Sequence, residues 1–138
     1  MRFLVRGFMW FHTTVYRLSR GRFLGKLRGA PVLLLTTTGR RTGARRTRPL
    51  MYLTEGEAYV IVASNNGGPR NPAWYRNLQS NPNATLEVRG RKLSVRAETA
   101  QGAERERLWA AFTGAYPFYT RYQEKTDRQI PVIVLRET

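Results

Sequence analysis

Six short stretches of aliphatic and β-branched residues, punctuated by Gly, Pro and Asn, leave this chain little choice but a sheet closed on itself. They are Val32–Thr37, Thr47–Leu53, Ala58–Ala63, Ala84–Arg89, Lys92–Glu98 and Pro131–Leu135. Val32–Thr37 is a continuous apolar and β-branched run and Pro131–Leu135 is apolar throughout, as buried strands are, while Lys92–Glu98 alternates. Glu55-Gly56 and Gly90 sit where hairpin turns need a residue tolerant of positive φ. Helical signals are brief: Pro72–Gln79, with Asn71 as expected cap and Pro72 in the first turn, and Glu104–Phe112. The expected fold is mainly β with short helices, a small, mainly antiparallel β-barrel of about six strands spanning residues 30–138.

Residues 1–29 form a separate unit. Leu4, Phe8, Phe11, Val15 and Leu18 recur at helical spacing, with Arg2, Arg6, Arg17 and Arg20 on the other side. An amphipathic helix over residues 2–19 followed by a basic linker is expected. The charges interrupt it too often for a bilayer span. It either packs on its own domain or lies on anionic lipid at the inner face of the membrane of a cytoplasmic protein.

Of the 138 residues, 24 are Lys or Arg and 9 are Asp or Glu, a net charge of +15, and 21 of the cations are arginines. Such a balance calls for an anionic partner: nucleic acid, an acidic membrane surface or a polyanionic small molecule. Cysteine is absent and His12 is the single histidine. Thiolate metal sites and cysteine nucleophiles are therefore excluded, and no paired carboxylates suggest hydrolysis. A cofactor that brings its own chemistry needs none of these groups.

Three stretches carry candidate chemistry. Thr36–Pro49 places Arg40, Arg41, Arg45, Arg46 and Arg48 around Gly39 and Gly43, just after a strand. Glycines let backbone N–H groups approach an oxyanion, and arginines bind it in a bidentate manner. The spacing is not that of a nucleotide-binding P-loop. Val62–Leu78 runs from a strand through a small-residue loop into a helix, where Trp74 either stacks on a planar ring or plugs the barrel. Ala115–Gln123 spaces Tyr116, Tyr119 and Tyr122 three apart, along one side of a helix or 3-10 segment, as core or as a substrate wall.

Together these stretches resemble the deazaflavin-dependent nitroreductase and quinone reductase family, whose members use the reduced 8-hydroxy-5-deazaflavin coenzyme F420. The resembling residues are Leu35–Gly43, Arg46 through Leu50, Ala63-Ser64 before Gly67-Gly68, Asn71–Leu78, Asn81-Pro82, the three tyrosines, and Thr126-Asp127-Arg128 before Ile130-Pro131. The resemblance implies a flavin-reductase-like split barrel and hydride transfer from the coenzyme to quinones, nitroaromatics or other activated double bonds. It assigns coenzyme contacts to Arg40, Arg41, Arg46, Thr47, Arg48 and Pro49, to Val62, Ala63, Ser64 and Asn65, and to Ala73, Trp74 and Asn77. Tyr116, Tyr119 and Tyr122 fall on the acceptor side with Ser64, and Tyr119 becomes the expected proton donor. Asn65 stands where some members carry lysine, and Met51 where some carry tyrosine. The rival readings are an FMN-binding split barrel and a nucleic-acid or membrane-surface binding protein without catalysis. No helix–turn–helix or RNP1 motif supports a specific nucleic-acid partner.

Overall fold

The structure, a computed structural model, describes residues 31–138, so the expected helix over residues 2–19 lies outside the described residues. Seven strands build one antiparallel sheet: β1 (Val32–Thr38), β2 (Arg45–Met51), β3 (Leu53–Glu55), β4 (Ala58–Val62), β5 (Asn83–Val88), β6 (Arg91–Thr99) and β7 (Val132–Glu137). Their spatial order is β2-β1-β5-β6-β7-β4-β3. The two edges, β2 and β3, are consecutive in the chain with Tyr52 alone between them. The sheet therefore curls until one stretch of backbone, Arg45–Glu55, supplies both of its edge strands.

That curl explains why the expected strand Thr47–Leu53 is two. Up to Met51 the stretch pairs with β1, ending Met51↔Val32. From Leu53 it pairs with β4, beginning Leu53↔Val60. Tyr52 belongs to neither ladder. It is 3% exposed, and its ring meets Tyr59 edge-on at 5.6 Å.

Alternation along the strands sorts side chains into two cores. Leu33 and Leu35 of β1, Leu86 and Val88 of β5, Leu93 and Val95 of β6 and Ile133 and Leu135 of β7 fill the barrel interior. Helix α1 (Ala73–Ser80) adds Trp74, Tyr75 and Leu78 to them. The outer face of β4 and β7, with Val60, Val62, Val132 and Val134, is covered by α2 (Gly102–Ala115) through Leu108 and Phe112. A last helix, α3 (Tyr119–Glu124), follows. Each aliphatic side chain withdrawn from water contributes about 1.5–3 kcal/mol, so both cores matter.

Two local expectations at α1 are corrected. Pro72, not Asn71, occupies the N-cap position, and no side chain caps the helix. The Asn71 side chain instead accepts a hydrogen bond from Arg128. A proline cap suffices because its extended backbone (φ −65°, ψ 155°) already directs the chain into the helix.

The topology brings the candidate motifs together. Successive antiparallel pairings from β1 through β5, β6 and β7 to β4 make β1 and β4 run the same way. Hence the arginine loop after β1 and the small-residue loop after β4 leave the barrel at one end.

Candidate functional site

The arginine loop is a compact hydrogen-bonded turn. The Gly39 amide donates to the Ala44 carbonyl at 2.7 Å and the Gly43 amide to the Gly39 carbonyl at 2.8 Å. Gly43 has φ +75°, a conformation glycine adopts without cost. The loop is fastened to α1 by Asn77, a residue 6% exposed. Its Oδ1 accepts from the Arg40 amide at 3.1 Å, and its Nδ2 donates to Thr37 Oγ1 at 3.1 Å. Both ends of this buried amide are used, which makes Asn77 the peg that holds the loop over the barrel mouth.

Strand alternation divides β2. Thr47 bonds Thr36 hydroxyl to hydroxyl at 2.7 Å, and Arg45 donates to Thr38 and Thr85, on the outer face. Arg46 and Arg48 lie on the opposite face, the one that Leu33, Leu35 and Leu50 direct inward. The expected set Arg46, Thr47, Arg48 and Pro49 is therefore split: Arg46 and Arg48 join Arg40 and Arg41, while the side chains of Thr47 and Pro49 turn away. Arg40, Arg41, Arg46 and Arg48 are exposed. The ion pairs among the described residues, Arg105–Glu106 and Arg107–Glu55, both involve α2 and none of these arginines.

The second loop begins at Ala63, wholly buried in the interior core, and passes Ser64 into a 3-10 turn, Asn65–Gly67. Three residues in succession are left-handed: Asn65 (φ 47°), Asn66 (φ 55°) and Gly67 (φ 76°). At Gly67 glycine is also a packing requirement, because a Cβ would stand 2.7 Å from the Tyr122 carbonyl oxygen on α3. Val62 points into the outer core under α2, whereas Ala63 faces the interior. Ala73 is exposed at the helix start, and Trp74, 8% exposed, belongs to the interior core beside Tyr75.

Arg128 holds this loop from behind. Its Nε donates to the Gly68 carbonyl at 3.0 Å, Nη1 to the Ala63 carbonyl at 3.1 Å and to Asn71 Oδ1 at 2.8 Å, and Nη2 to the Ser64 carbonyl at 2.7 Å. Burial pulls its pKa down from the ordinary value, yet a guanidinium stays charged. Sequence reasoning gave Arg128 no role.

The tyrosines form a continuous stripe. Ring centroids lie 6.3 Å apart from Tyr116 to Tyr119 and 5.3 Å from Tyr119 to Tyr122, and Phe112 and Phe118 pack edge-on or tilted against them. The expected one-sided spacing holds, although Tyr116 precedes α3. Tyr116 is 8% exposed and donates its hydroxyl to the Tyr52 carbonyl at 2.8 Å, at the corner where β2 becomes β3. Burial first, and the neighbouring Tyr52 second, raise its pKa above 10.0. Tyr119 and Tyr122 are half-buried and, like Met51 and Leu53, pack against the outer core.

A curled antiparallel sheet with an arginine-rich loop and an aromatic wall defines a class: small split-barrel proteins with a basic site at one end of the sheet. The chain belongs to the F420H(2)-dependent quinone reductase family, whose model matches residues 9–137. An F420H(2)-dependent quinone reductase of Mycobacterium tuberculosis strain H37Rv is 42% identical over 128 residues, covering 90% of this chain and 86% of that one. A solved F420-H2-dependent reductase is 41% identical over 77% of this chain and 94% of its own, with a TM-score of 0.71. A second solved chain, described as a domain-swapped dimer, is 35% identical over 92% of this chain and 97% of its own, with a TM-score of 0.73. Membership makes this chain an oxidoreductase, with the reduced F420 coenzyme as hydride donor and a quinone as acceptor.

Proposed function

We propose that the arginine-rich mouth holds the coenzyme's negatively charged tail, that Ala63, Ser64 and Asn65 with Trp74 and Ala73 border its ring, and that Tyr119 serves the acceptor. The observation that carries this reading is the set of exposed arginines, Arg40, Arg41, Arg46 and Arg48, without a carboxylate partner among the described residues. Like charges gathered on one loop repel unless an anion joins them, and a phosphodiester with several carboxylates fits that requirement better than one phosphate would. FMN, with a single phosphate, is the weaker fit.

When bound, the coenzyme supplies a hydride. The chain supplies binding through the arginines, orientation through Asn77, which locks their loop, and exclusion of water by the packed rings of Phe112, Phe118 and Tyr122. A quinone that gains a hydride leaves one oxygen negatively charged. The Tyr119 hydroxyl holds the proton for that oxygen, and ring and hydroxyl together favour flat, electron-poor acceptors. Nitroaromatics share that shape and are accepted by the same wall. Tyr116 acts differently from Tyr119: its hydroxyl fastens the barrel corner. Residues 1–29, basic and amphipathic in sequence, bring the protein to anionic lipid, where lipid-soluble quinones reside. Among the described residues no helix is long and apolar enough to cross a membrane.

The decisive experiment follows oxidation of the reduced deazaflavin against a panel of quinones and nitroaromatics, with FMN titrated in parallel through tryptophan fluorescence. Turnover with quinone and tighter binding of deazaflavin than of FMN are expected. Tighter FMN binding, or sub-micromolar DNA binding at physiological salt without coenzyme binding, would overturn the assignment.

A further inference from the structure

Arg128 makes four hydrogen bonds, and every acceptor lies in the Ala63–Asn71 loop, 57 to 65 residues away in the chain. Three of those acceptors are main-chain carbonyls, so the guanidinium fixes peptide planes. A trans peptide points its N–H opposite to its C=O. With the Ala63 and Ser64 carbonyls drawn to Arg128, the Ser64 and Asn65 amides are aimed the other way.

The arginine is itself held by α3. Gln123 Nε2 donates to the Arg128 carbonyl at 2.8 Å, and Gln123 Oε1 accepts from the Ile130 amide at 3.0 Å. Gly67 closes the circuit, since its missing side chain lets the loop touch the Tyr122 backbone. Loop, arginine and tyrosine helix thus form one brace: Gln123 ties α3 to Arg128 locally, while the Arg128 and Gly67 contacts join loop to helix across distant parts of the chain.

We infer that Arg128 is a positioning residue: it sets the register between the loop bearing Ser64 and Asn65 and the helix bearing Tyr119 and Tyr122, and so the distance between hydride donor and acceptor. The inference rests on the proposed placement of coenzyme and acceptor on those two elements. A point charge cannot reproduce a forked donor, so lysine is not an adequate replacement. Misplacement by about 1 Å costs on the order of 100-fold in rate, while the coenzyme tail, held by the arginine loop, is unaffected.

The test compares wild type with Arg128→Lys and Arg128→Ala. Without any coenzyme, hydrogen exchange should quicken in two segments together, residues 64–71 and 119–124. With coenzyme and menadione, turnover should fall about 10- to 100-fold while coenzyme affinity changes by less than about threefold. Dilute guanidinium ion should restore turnover to Arg128→Ala, and ammonium should not. Gln123→Leu keeps the arginine and frees its backbone; it should shift the same way and serves if the arginine variants do not fold. A lowered melting point with unchanged turnover per folded molecule would reduce Arg128 to a stabilising residue. Quickened exchange confined to residues 64–71 would refute the coupling. If wild-type protein fails to bind the coenzyme, the placement reading falls, and the exchange arm still decides whether the brace exists.

Discussion

The Tyr116 hydroxyl is committed to the Tyr52 carbonyl inside the protein, whereas Tyr119, one turn further on, lies half-buried in the aromatic stripe. The two phenols should therefore respond differently to the same deletion. Tyr116→Phe leaves a buried carbonyl without its donor and should destabilise the fold by about 1–3 kcal/mol. The raised pKa gives that loss a pH signature. Below the ordinary value of 10.0 the neutral phenol contributes fully; above it the unfolded chain ionises first, and the contribution drains as pH climbs to the folded value. Urea melts from neutral to alkaline pH should show the gap between wild type and variant narrowing past that point, and a constant gap would refute the link. Tyr119→Phe keeps the ring and its packing in the stripe. A missing donor to a developing oxyanion costs about 2.7–4 kcal/mol in well-shielded sites, so a loss of about 10- to 100-fold in turnover is expected where water partly substitutes. Unaltered quinone turnover would make Tyr119 a packing residue.

At the scale of elements, the loop between β4 and α1 is the least tolerant part of the site. Gly67→Ala forces both a left-handed non-glycine residue and a 2.7 Å approach to a backbone oxygen. Gly43→Ala, at φ +75°, meets nothing within 4 Å. The first should cost about 1–3 kcal/mol and disturb α3; the second should cost about 1–2 kcal/mol and leave the tyrosines alone. Hydrogen exchange in α3 as slow in Gly67→Ala as in Gly43→Ala would contradict the close packing of loop on helix. The same contrast shows what was legible beforehand. Strands β1, β4, β5, β6 and β7 could be read because alternation and turn residues are local signals. The split at Tyr52 could not, since it arises when the two edges of the sheet meet. The arginine loop and tyrosine stripe were visible as clusters, but Asn77 bonds across 37 and 40 residues and Arg128 across 57 or more, and no spacing rule reveals such partners. Asn71 looked like a cap for the same reason: its actual partner is remote.

For the whole molecule, charge and topology separate folding from binding. The barrel closes through Tyr52 and its two apolar cores, none of which needs Arg40 or Arg41. With both arginines exposed and outside the ion pairs of the described residues, folding gains little from them and bears their repulsion. Arg40→Ala/Arg41→Ala should accordingly melt at or slightly above the wild-type temperature. Coenzyme affinity should fall instead, by roughly 10- to 100-fold at low salt, because charge-assisted bonds to the tail are lost. Screening sharpens the test: the Debye length is about 10 Å at 0.1 M ionic strength and about 3 Å at 1 M. Wild-type affinity should weaken steadily with salt while the variant's changes little, so the two curves converge. Parallel curves would mean that the tail is gripped elsewhere. A lower melting point with unchanged affinity would turn the loop into a structural element and leave the net charge of +15 to be explained by another anion.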